Sequence, residues 1–243
     1  MATAINTIVL DLGTTAIKAA VCNKNLEFEL FFSHPAPNIT TNKGQYTSDT
    51  MAYLAITEDL LKQCQPYCTS QPALGLCYQR SSLLIWNSHS GLPVTPLISW
   101  QDTRGESSCK ELQKHNSLIK QITGLPLTAY YFAPKVRLLL QQQPELRQGL
   151  LNQDLRLGTL DSFLIWHWTA GKHYLMDVSM AARTLLMDIH TAQWSNTLSN
   201  IFDIPLQTLP RISPSTSLDI DLINGMTLVT SVADQSAAFL ASI

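Results

Sequence analysis

The sequence of 243 residues predicts an α/β or α+β domain, and two patterns support that fold class. Near the N-terminus, three apolar runs at residues 5–10, 16–22 and 26–32 are separated by short polar turns, which is typical of an antiparallel strand meander. Near the C-terminus, a strand pattern at residues 227–232 precedes a helix pattern at residues 235–240. Strands first, then mixed strands and helices, indicate a sheet with helices packed against it.

The middle of the chain contains both kinds of element. Residues 35–48 are polar and predict a loop. The helix predicted after this loop has an apolar stripe formed by Met51, Leu54, Ala55, Leu60 and Leu61. Strand patterns occupy residues 73–78, 83–86 and 94–98, and residues 87–91 between the last two predict a hairpin turn. Two more helices are predicted at residues 133–143, which Pro144 ends, and at residues 160–168, with Thr159 as the N-cap.

The composition excludes several classes of protein. The net charge of −2 provides no positive surface for nucleic acid or an anionic membrane. No apolar run approaches the roughly 20 residues that span a bilayer, and the N-terminus has no signal-peptide pattern. The five cysteines are an odd number without a CxxC pair, which is typical of reduced thiols. We therefore expect a cytoplasmic protein that binds neither nucleic acid nor membrane.

The first candidate site is the turn Asp11-Leu12-Gly13-Thr14-Thr15, which follows the first predicted strand. The strand ends in a carboxylate, the glycine permits a tight turn, and two hydroxyls follow. Such a turn can offer backbone N–H groups and hydroxyls to phosphate oxygens, and its carboxylate can hold Mg²⁺, usually through water. The alternative interpretation is an ordinary hairpin with an Asx turn.

The second candidate is Asp234-Gln235, which comes directly after the last predicted strand. Open α/β sheets place their ligands at the carboxyl ends of strands. A carboxylate there can accept a proton from a substrate hydroxyl, as a general base must. The alternative is that Asp234 is only the N-cap of the helix that follows.

Two further candidates contain an arginine and a tryptophan. Gln79-Arg80-Ser81 ends a strand, and the five donors of arginine suit polyhydroxylated or anionic ligands. The alternative for Arg80 is a surface ion pair. Trp100 begins the polar segment of residues 100–104, and an indole beside polar groups suits the C–H faces of sugars. The alternative for Trp100 is a place in the core.

Taken in order, these segments resemble the motifs of the FGGY family of carbohydrate kinases, and those of glycerol kinases in particular. Residues 11–15 resemble the first phosphate motif of the family, D-x-G-T-T/S. Residues 79–80 and 100–104 resemble the N-Q-R and W-Q-D-x-R segments. Further matches are residues 123–127 with Tyr130 and Lys135, residues 158–162 with 164–166, residues 182–184 with 188–191, and residues 234–238.

The resemblance implies an actin-like, ribonuclease-H-like domain with a mixed five-stranded sheet flanked by helices. It also implies ATP and Mg²⁺ as cofactors, and a small polyol or sugar whose hydroxyl receives the γ-phosphate, with Asp234 as the general base. The other implied roles are phosphate binding by Gly13, Thr14, Thr15 and Lys18, substrate binding by Arg80, Ser81, Trp100, Tyr130, Asp234 and Gln235, and magnesium binding by Asp11.

Residues 1–243 would form the N-terminal, substrate-binding domain of such a kinase. Members of the family run about twice this length, so the C-terminal nucleotide-binding domain is absent from this chain and is its expected partner. We expect this fragment alone to be inactive, and its uncovered inter-domain face to favour self-association.

The sequence departs from the glycerol kinase pattern at several positions. Ser81 stands where glycerol kinases have glutamate, so a carboxylate that accepts from two neighbouring substrate hydroxyls is lost. Met180 and Ala182 replace two polar side chains, and Ala233 replaces the glycine before the catalytic aspartate. We therefore expect the parent kinase to prefer a polyol or ketose other than glycerol.

The sequence leaves two alternatives to a kinase open. The first is a split or decayed kinase half that binds a polyol or a partner without turnover. The second is a nuclease of the ribonuclease-H-like fold, which needs three or four clustered carboxylates for two metal ions. Asp11 and Asp234 alone do not supply that cluster.

Overall fold

The computed structural model of the protein describes residues 7–25, 27–68 and 71–242, and residues 5, 6 and 26 of the predicted strands lie outside that range. The strands are β1 Thr7–Leu12, β2 Ala16–Cys22, β3 Phe28–Pro35, β4 Thr40–Asn42, β5 Gln45–Ser48, β6 Ala73–Tyr78, β7 Leu83–Asn87, β8 Leu97–Ile98, β9 Leu155–Thr159, β10 Leu175–Asp177, β11 Met187–Asp188, β12 Gln193–Trp194, β13 Arg211–Ser213, β14 Thr216–Asp221 and β15 Thr227–Ala233. The helices are α1 Thr50–Cys64, α2 Glu106–Glu111, α3 Asn116–Thr123, α4 Phe132–Gln142, α5 Pro144–Leu151, α6 Leu160–Trp168, α7 Val178–Ala181, α8 Asn196–Phe202 and α9 Asp234–Leu240.

The main sheet is mixed and has the strand order β14-β15-β6-β1-β2-β3. β1, β2 and β3 pair in antiparallel fashion, which confirms the predicted meander, whereas β6 pairs in parallel with both β1 and β15. The predicted fold class is confirmed, but the sheet has six strands rather than five. The additional strand, β14, is a largely exposed edge strand in which Ser217 and Asp219 have positive φ. Its Ile220 is buried and its Leu218 is half-buried, whereas the residues next to them are exposed.

A second sheet of five strands has the order β4-β5-β8-β7-β9. The prediction of a loop at residues 35–48 was wrong, because β4 and β5 form a hairpin within it. Lys43 and Gly44 both have positive φ, as a two-residue hairpin turn requires. The hairpin is built from threonine, asparagine, glutamine and tyrosine, so no apolar alternation marks it. The predicted hairpin around residues 87–91 is confirmed, because β7 pairs with β8.

Two apolar clusters form the core. The larger packs one face of the six-stranded sheet against α1 and α6, and the smaller packs the second sheet against α4 and α8. Side chains of β1 and β6 alternate between buried and half-buried. Asp11 and Cys77 are on the half-buried face. The removal of apolar surface from water stabilises both clusters, while the less covered face leaves polar groups accessible.

The predicted helices are present, with small differences. In α1, Leu54, Leu60 and Leu61 are buried as predicted, but Met51 and Ala55 are exposed, and Tyr53 and Thr57 complete the buried face instead. The difference is confined to the N-terminal half of the helix, because Leu60 and Leu61 in the C-terminal half are buried as predicted. No helix within the described ranges has both the length and the apolar character needed to cross a membrane.

Candidate functional site

The candidate site lies where three parallel strands of the main sheet end side by side. Leu12, Tyr78 and Ala233 are register partners at the carboxyl ends of β1, β6 and β15. The segments that follow these strands are therefore neighbours, and they contain the turn of residues 13–15, the segment of residues 79–81, and Asp234 with Gln235. The structure thus brings the main predicted site residues to one edge of the sheet, where open α/β sheets bind ligands.

The turn between β1 and β2 is tight and requires its glycine. The Gly13 amide donates to the Ala16 carbonyl oxygen over 3.1 Å. A Cβ at Gly13 would lie 2.8 Å from that same oxygen, so any other residue would force the turn open. Thr15 is exposed at the tip of the turn, and Lys18 is exposed on β2 directly opposite Asp11. These two side chains are accessible to a ligand, as a phosphate-binding role requires.

The Thr14 hydroxyl is already engaged within the chain. It donates to Gln79 Oε1 over 3.3 Å and accepts from the indole Nε1 of Trp100 over 3.1 Å. These two bonds join the β1–β2 turn to the segments that contain Gln79 and Trp100. Thr14 therefore contributes to the site by fixing the position of the turn, and any phosphate contact would come from its backbone.

Asp11 shares the half-buried face of the sheet with Cys77, its register partner on β6. Burial raises the pKa of Asp11, the charge of Lys18 lowers it, and the nearby carboxylate of Asp234 raises it again. The two carboxylates are thus close enough to repel each other, and a cation between them would relieve that repulsion. Mg²⁺ is commonly held by one or two carboxylates together with substrate phosphates, so these residues fit a magnesium role.

Asp234 is held between Arg80 and its own helix. Arg80 Nε lies 3.5 Å from Asp234 Oδ1, and the Gln235 amide donates to the same oxygen over 2.6 Å. Arg80 Nη2 also donates to Gln235 Oε1. The Asp234 side chain is 41% exposed and can meet a substrate, whereas that of Arg80 is only 12% exposed. The alternative that Arg80 forms a surface ion pair is therefore half correct, because the ion pair exists but the arginine is mostly buried.

The alternative that Asp234 is a helix N-cap is wrong. β15 continues to Ala233, which is the N-cap residue, and α9 begins immediately at Asp234. The Ala233 amide donates to the Ser179 hydroxyl oxygen over 2.9 Å, which fixes the end of the strand. A carboxylate in the first turn still interacts favourably with the helix dipole, and the 41% exposure of this side chain leaves it accessible to a ligand.

Trp100 and Tyr130 form one wall of the site. Their ring centroids are 5.7 Å apart, with the planes tilted by 57°. Both side chains are half-buried, so the alternative of a core position for Trp100 is not what the structure shows. The indole N–H on Thr14 places this wall beside the β1–β2 turn.

Comparison with known proteins identifies the family of this arrangement. Residues 6–226 match the model of the N-terminal domain of the FGGY family of carbohydrate kinases. The chain belongs to the FGGY family. The glycerol kinases of Mycoplasma pneumoniae and Paracidovorax citrulli are 34% and 35% identical to it over 95% and 96% of the chain. Those alignments cover 49% and 48% of the two relatives, so the FGGY domain described here spans about half of their length.

Solved structures agree with this assignment. The structure of Plasmodium falciparum glycerol kinase with ADP superposes with a TM-score of 0.85 at 26% identity, covering 96% of this chain and 49% of that one. The structure of a ligand-bound xylulose kinase from Lactobacillus acidophilus also superposes with a TM-score of 0.85, at 19% identity. That superposition covers 96% of this chain and 49% of the xylulose kinase chain. The second likeness shows the shared fold alone.

Ser81 occupies an unexpected position in the FGGY domain. Its side chain is buried, only 1% exposed, and its hydroxyl has no hydrogen-bond partner among the described residues. Its backbone is in the left-handed region, with φ of 62°. Ser81 directly follows Arg80 in the chain, but its hydroxyl does not reach the open surface of the site. A longer side chain at this position would be needed to reach a ligand.

Gln79 is a central residue of the site that the sequence assigned only to a motif. It is 4% exposed. Its Nε2 donates to the Tyr53 hydroxyl over 3.0 Å, and its Oε1 accepts from Ser82 over 3.0 Å as well as from Thr14. Its backbone amide donates to the Leu12 carbonyl over 2.9 Å. Gln79 thereby fixes the end of β6 against the end of β1.

Lys135 was matched in the sequence without any role, and the structure shows a fully buried ammonium. Its Nζ donates to the carbonyl oxygens of Ser81, Ser99 and Tyr130 over 2.9, 3.1 and 3.1 Å. This buried role could have been predicted only from the place of Lys135 in a motif, because a lysine in a helix pattern normally lies at the surface.

Asp161 is a second ionisable side chain that is fully buried. Asp161 is completely buried at the start of α6 and accepts from the Thr159 hydroxyl on one oxygen, while its other oxygen has no partner among the described residues. Burial raises the pKa of Asp161 to about 7, and the charge of Asp177 adds to the rise. Thr159 is the N-cap residue as predicted, but its hydroxyl binds this carboxyl instead of a backbone amide.

The described residues contain no group of three or more histidine, cysteine, aspartate or glutamate side chains that could hold a metal ion. The family match supports the kinase interpretation rather than the nuclease alternative, because the matched family and relatives are carbohydrate kinases.

Proposed function

We propose that this FGGY domain is the substrate-binding half of an ATP-dependent kinase that transfers the γ-phosphate to a hydroxyl of a small polyol or sugar. The observation that carries the proposal is the position of Asp234. An accessible carboxylate, held by Arg80, follows the carboxyl end of β15, beside the carboxyl ends of β1 and β6. In this proposal the carboxylate is the proton acceptor, the β1–β2 turn is the phosphate cradle, and Trp100 with Tyr130 is the surface for a sugar.

The proposed mechanism assigns a separate task to each side of the site. Asp234 accepts the proton of the attacking hydroxyl, and Arg80 and Gln235 orient the hydroxyls beside it. Trp100 and Tyr130 pack against the C–H face of the substrate. On the other side, the turn between β1 and β2 binds the transferred phosphate. The residues that take part are Gly13, Thr14, Thr15 and Lys18.

Asp11 would hold Mg²⁺, which when bound neutralises charge on the phosphate oxygens. Phosphoryl transfer depends mainly on alignment and charge stabilisation, so the described residues need little covalent chemistry of their own. Because ATP is the proposed phosphoryl donor, we place the enzyme in the cytoplasm, as the composition predicts.

We further propose that a C-terminal nucleotide-binding domain completes the enzyme, with residues 1–243 forming the N-terminal domain. The chain spans about half of the length of the glycerol kinases that it matches. In addition, Phe239 and Leu240 of α9 are 67% and 62% exposed. They line a cavity of about 400 Å³ that also contains Arg80 and Gln235. Apolar side chains next to a polar site are suited to contact with a further domain.

A second candidate function is a binding module without turnover. The observation that favours it is Ser81, which stands where glycerol kinases have glutamate and whose side chain is buried. Such a module would bind the same polyol through Arg80, Trp100 and Tyr130 but would never release ADP.

The experiment that separates the two functions is a measurement of ADP release with ATP, Mg²⁺ and a panel of polyols and sugars. We expect turnover at the usual kinase scale of about 1–100 s⁻¹ when the chain is combined with a C-terminal half. We expect no turnover by the chain alone, because only the assembled site aligns substrate and phosphate and excludes water. Polyol binding without ADP release in the combined protein would favour the binding module.

A further inference from the structure

Lys135 connects three parts of the chain that are far apart in sequence. It lies in the first turn of α4 and is fully buried. Two of its three carbonyl partners, Ser81 and Ser99, lie 54 and 36 residues before it. The third, Tyr130, lies five residues before it. Its side chain therefore bridges the end of β6, the end of β8 and the start of α4.

Each of these carbonyls belongs to, or directly adjoins, a residue of the proposed substrate surface. Ser81 follows Arg80, Ser99 precedes Trp100, and Tyr130 is itself part of the aromatic wall. The lysine touches none of the surfaces that a polyol would contact. Its hydrogen bonds nevertheless set the mutual spacing of the three segments that do.

The chemistry of the ammonium matches this arrangement. An –NH₃⁺ group has three donors and no acceptor, and here three carbonyl oxygens receive all three. A buried charge without such partners would be strongly destabilising. Burial lowers the pKa of Lys135 to about 7, while the nearby Asp102 raises it and Arg104 lowers it. A neutral amine would keep only two N–H donors, so one of the three segments would lose its bond.

We propose that Lys135 is a positioning residue for the substrate side of the kinase site, holding the segments of Arg80, Trp100 and Tyr130 at the spacing that one polyol requires. This inference rests on the proposed function. It assigns Lys135 no contact with the substrate or with the reacting phosphate. Its removal should therefore affect polyol binding more than nucleotide binding, because the β1–β2 turn is fixed by its own backbone bond between Gly13 and Ala16.

The test compares Lys135→Met with Lys110→Met in the chain assembled with its C-terminal half. Methionine preserves length and removes all three donors, and Lys110 is an exposed lysine of α2 that serves as the matched control. We expect Lys135→Met to raise KM for the polyol by about tenfold or more, since misplacing substrate contacts is costly. KM for ATP should stay within about twofold of the wild type, and Lys110→Met should leave both values unchanged.

The outcomes distinguish the two proposals. A wild-type assembly that phosphorylates no polyol or sugar overturns the proposed function, and the role of Lys135 with it. The role of Lys135 alone is overturned if the wild type is active and folded Lys135→Met has the same KM for the polyol. It is also overturned if the variant raises both KM values equally. If circular dichroism shows that the methionine variant does not fold, Lys135→Gln decides in the same way. Glutamine retains two N–H donors, so a smaller, polyol-selective rise in KM is then expected, and its absence overturns the proposal.

Discussion

The two sides of the candidate site are built in different ways. The proposed phosphate side is a single stretch of chain, residues 11–18, in which the end of β1, a tight turn and the start of β2 follow one another. The proposed substrate side consists of three segments, brought together by the buried ammonium of Lys135. A local turn is determined by its own residues, above all by Gly13. A surface assembled from distant segments depends instead on the one side chain that joins them.

The two sides also meet at a defined place. Thr14 receives the indole N–H of Trp100 and donates to Gln79, so the phosphate turn and the aromatic wall share one hydroxyl. Asp234 also connects the two sides, because it pairs with Arg80 of the substrate side and its charge raises the pKa of Asp11 on the phosphate side. The difference in construction predicts that variants on each side will have separable kinetic effects, whereas variants at the junction will not.

The largest effect is expected at the junction, from Asp234→Asn. Asparagine has the size of aspartate but cannot accept the proton of the attacking hydroxyl, so kcat in the assembled enzyme should fall by on the order of 10²–10⁴-fold. Folding should be nearly unaffected, because the side chain is 41% exposed. Steady-state kinetics and circular dichroism on the same preparation would check this. Unchanged turnover in a folded variant would remove Asp234 from the mechanism.

A smaller effect, confined to the substrate side, is expected from Ser81→Glu. Glutamate is long enough to leave the buried position of Ser81 and to offer the carboxylate that glycerol kinases have there. A charge-assisted hydrogen bond contributes about 1.5–3 kcal/mol, so kcat/KM for glycerol should rise by about 10–150-fold. The measurement is kcat/KM for glycerol and a polyol panel in both proteins. The idea would be contradicted by a wild type that already uses glycerol far better than every other polyol.

The smallest effects are expected from Thr14→Val, which keeps the β-branched shape but removes the shared hydroxyl. Each lost hydrogen bond contributes about 1 kcal/mol, so KM for ATP and KM for the polyol should both rise several-fold. Lys18→Met is the comparison within the same turn, and it should raise KM for ATP only. If Thr14→Val changed just one of the two values, the hydroxyl would not couple the two sides.

The parts that the sequence predicted well are those whose signals are local. The meander was visible because β1 and β2 have compact apolar runs. Asp11 and Asp234 were each predicted as site residues because each stands at or directly after the end of a predicted strand. Family motifs then assigned their chemistry. The hairpin of β4 and β5 was missed because polar threonine and asparagine form its strands, and pairing with β8 stabilises it.

The remaining features depend on partners that no local pattern shows. The burial of Ser81 and its left-handed backbone accompany the hydrogen bond that its carbonyl oxygen accepts from Lys135, 54 residues later. The hydroxyl of Thr14 could be assigned to phosphate from the motif alone, and only the packing of Trp100 against the turn shows that it is already occupied. A side chain's type limits which bonds it can form, and the tertiary structure decides which of them are made.

The complete burial of Asp161 affects how the stability of the domain changes with pH. Burial raises the pKa of Asp161 from 3.8 to about 7, so the folded state binds this proton more tightly than the unfolded state does. By proton linkage, the resulting stabilisation is fully present below about pH 4 and is lost as the pH rises through about 7. Between those limits one such group can lower the free energy of unfolding by up to about 1.4 kcal/mol per pH unit. Asp161→Asn resembles the protonated carboxyl, so urea unfolding from pH 5 to pH 7 should show a flatter profile for the variant than for the wild type. Equal slopes would mean that Asp161 gains its proton no more readily in the folded chain than in the unfolded one.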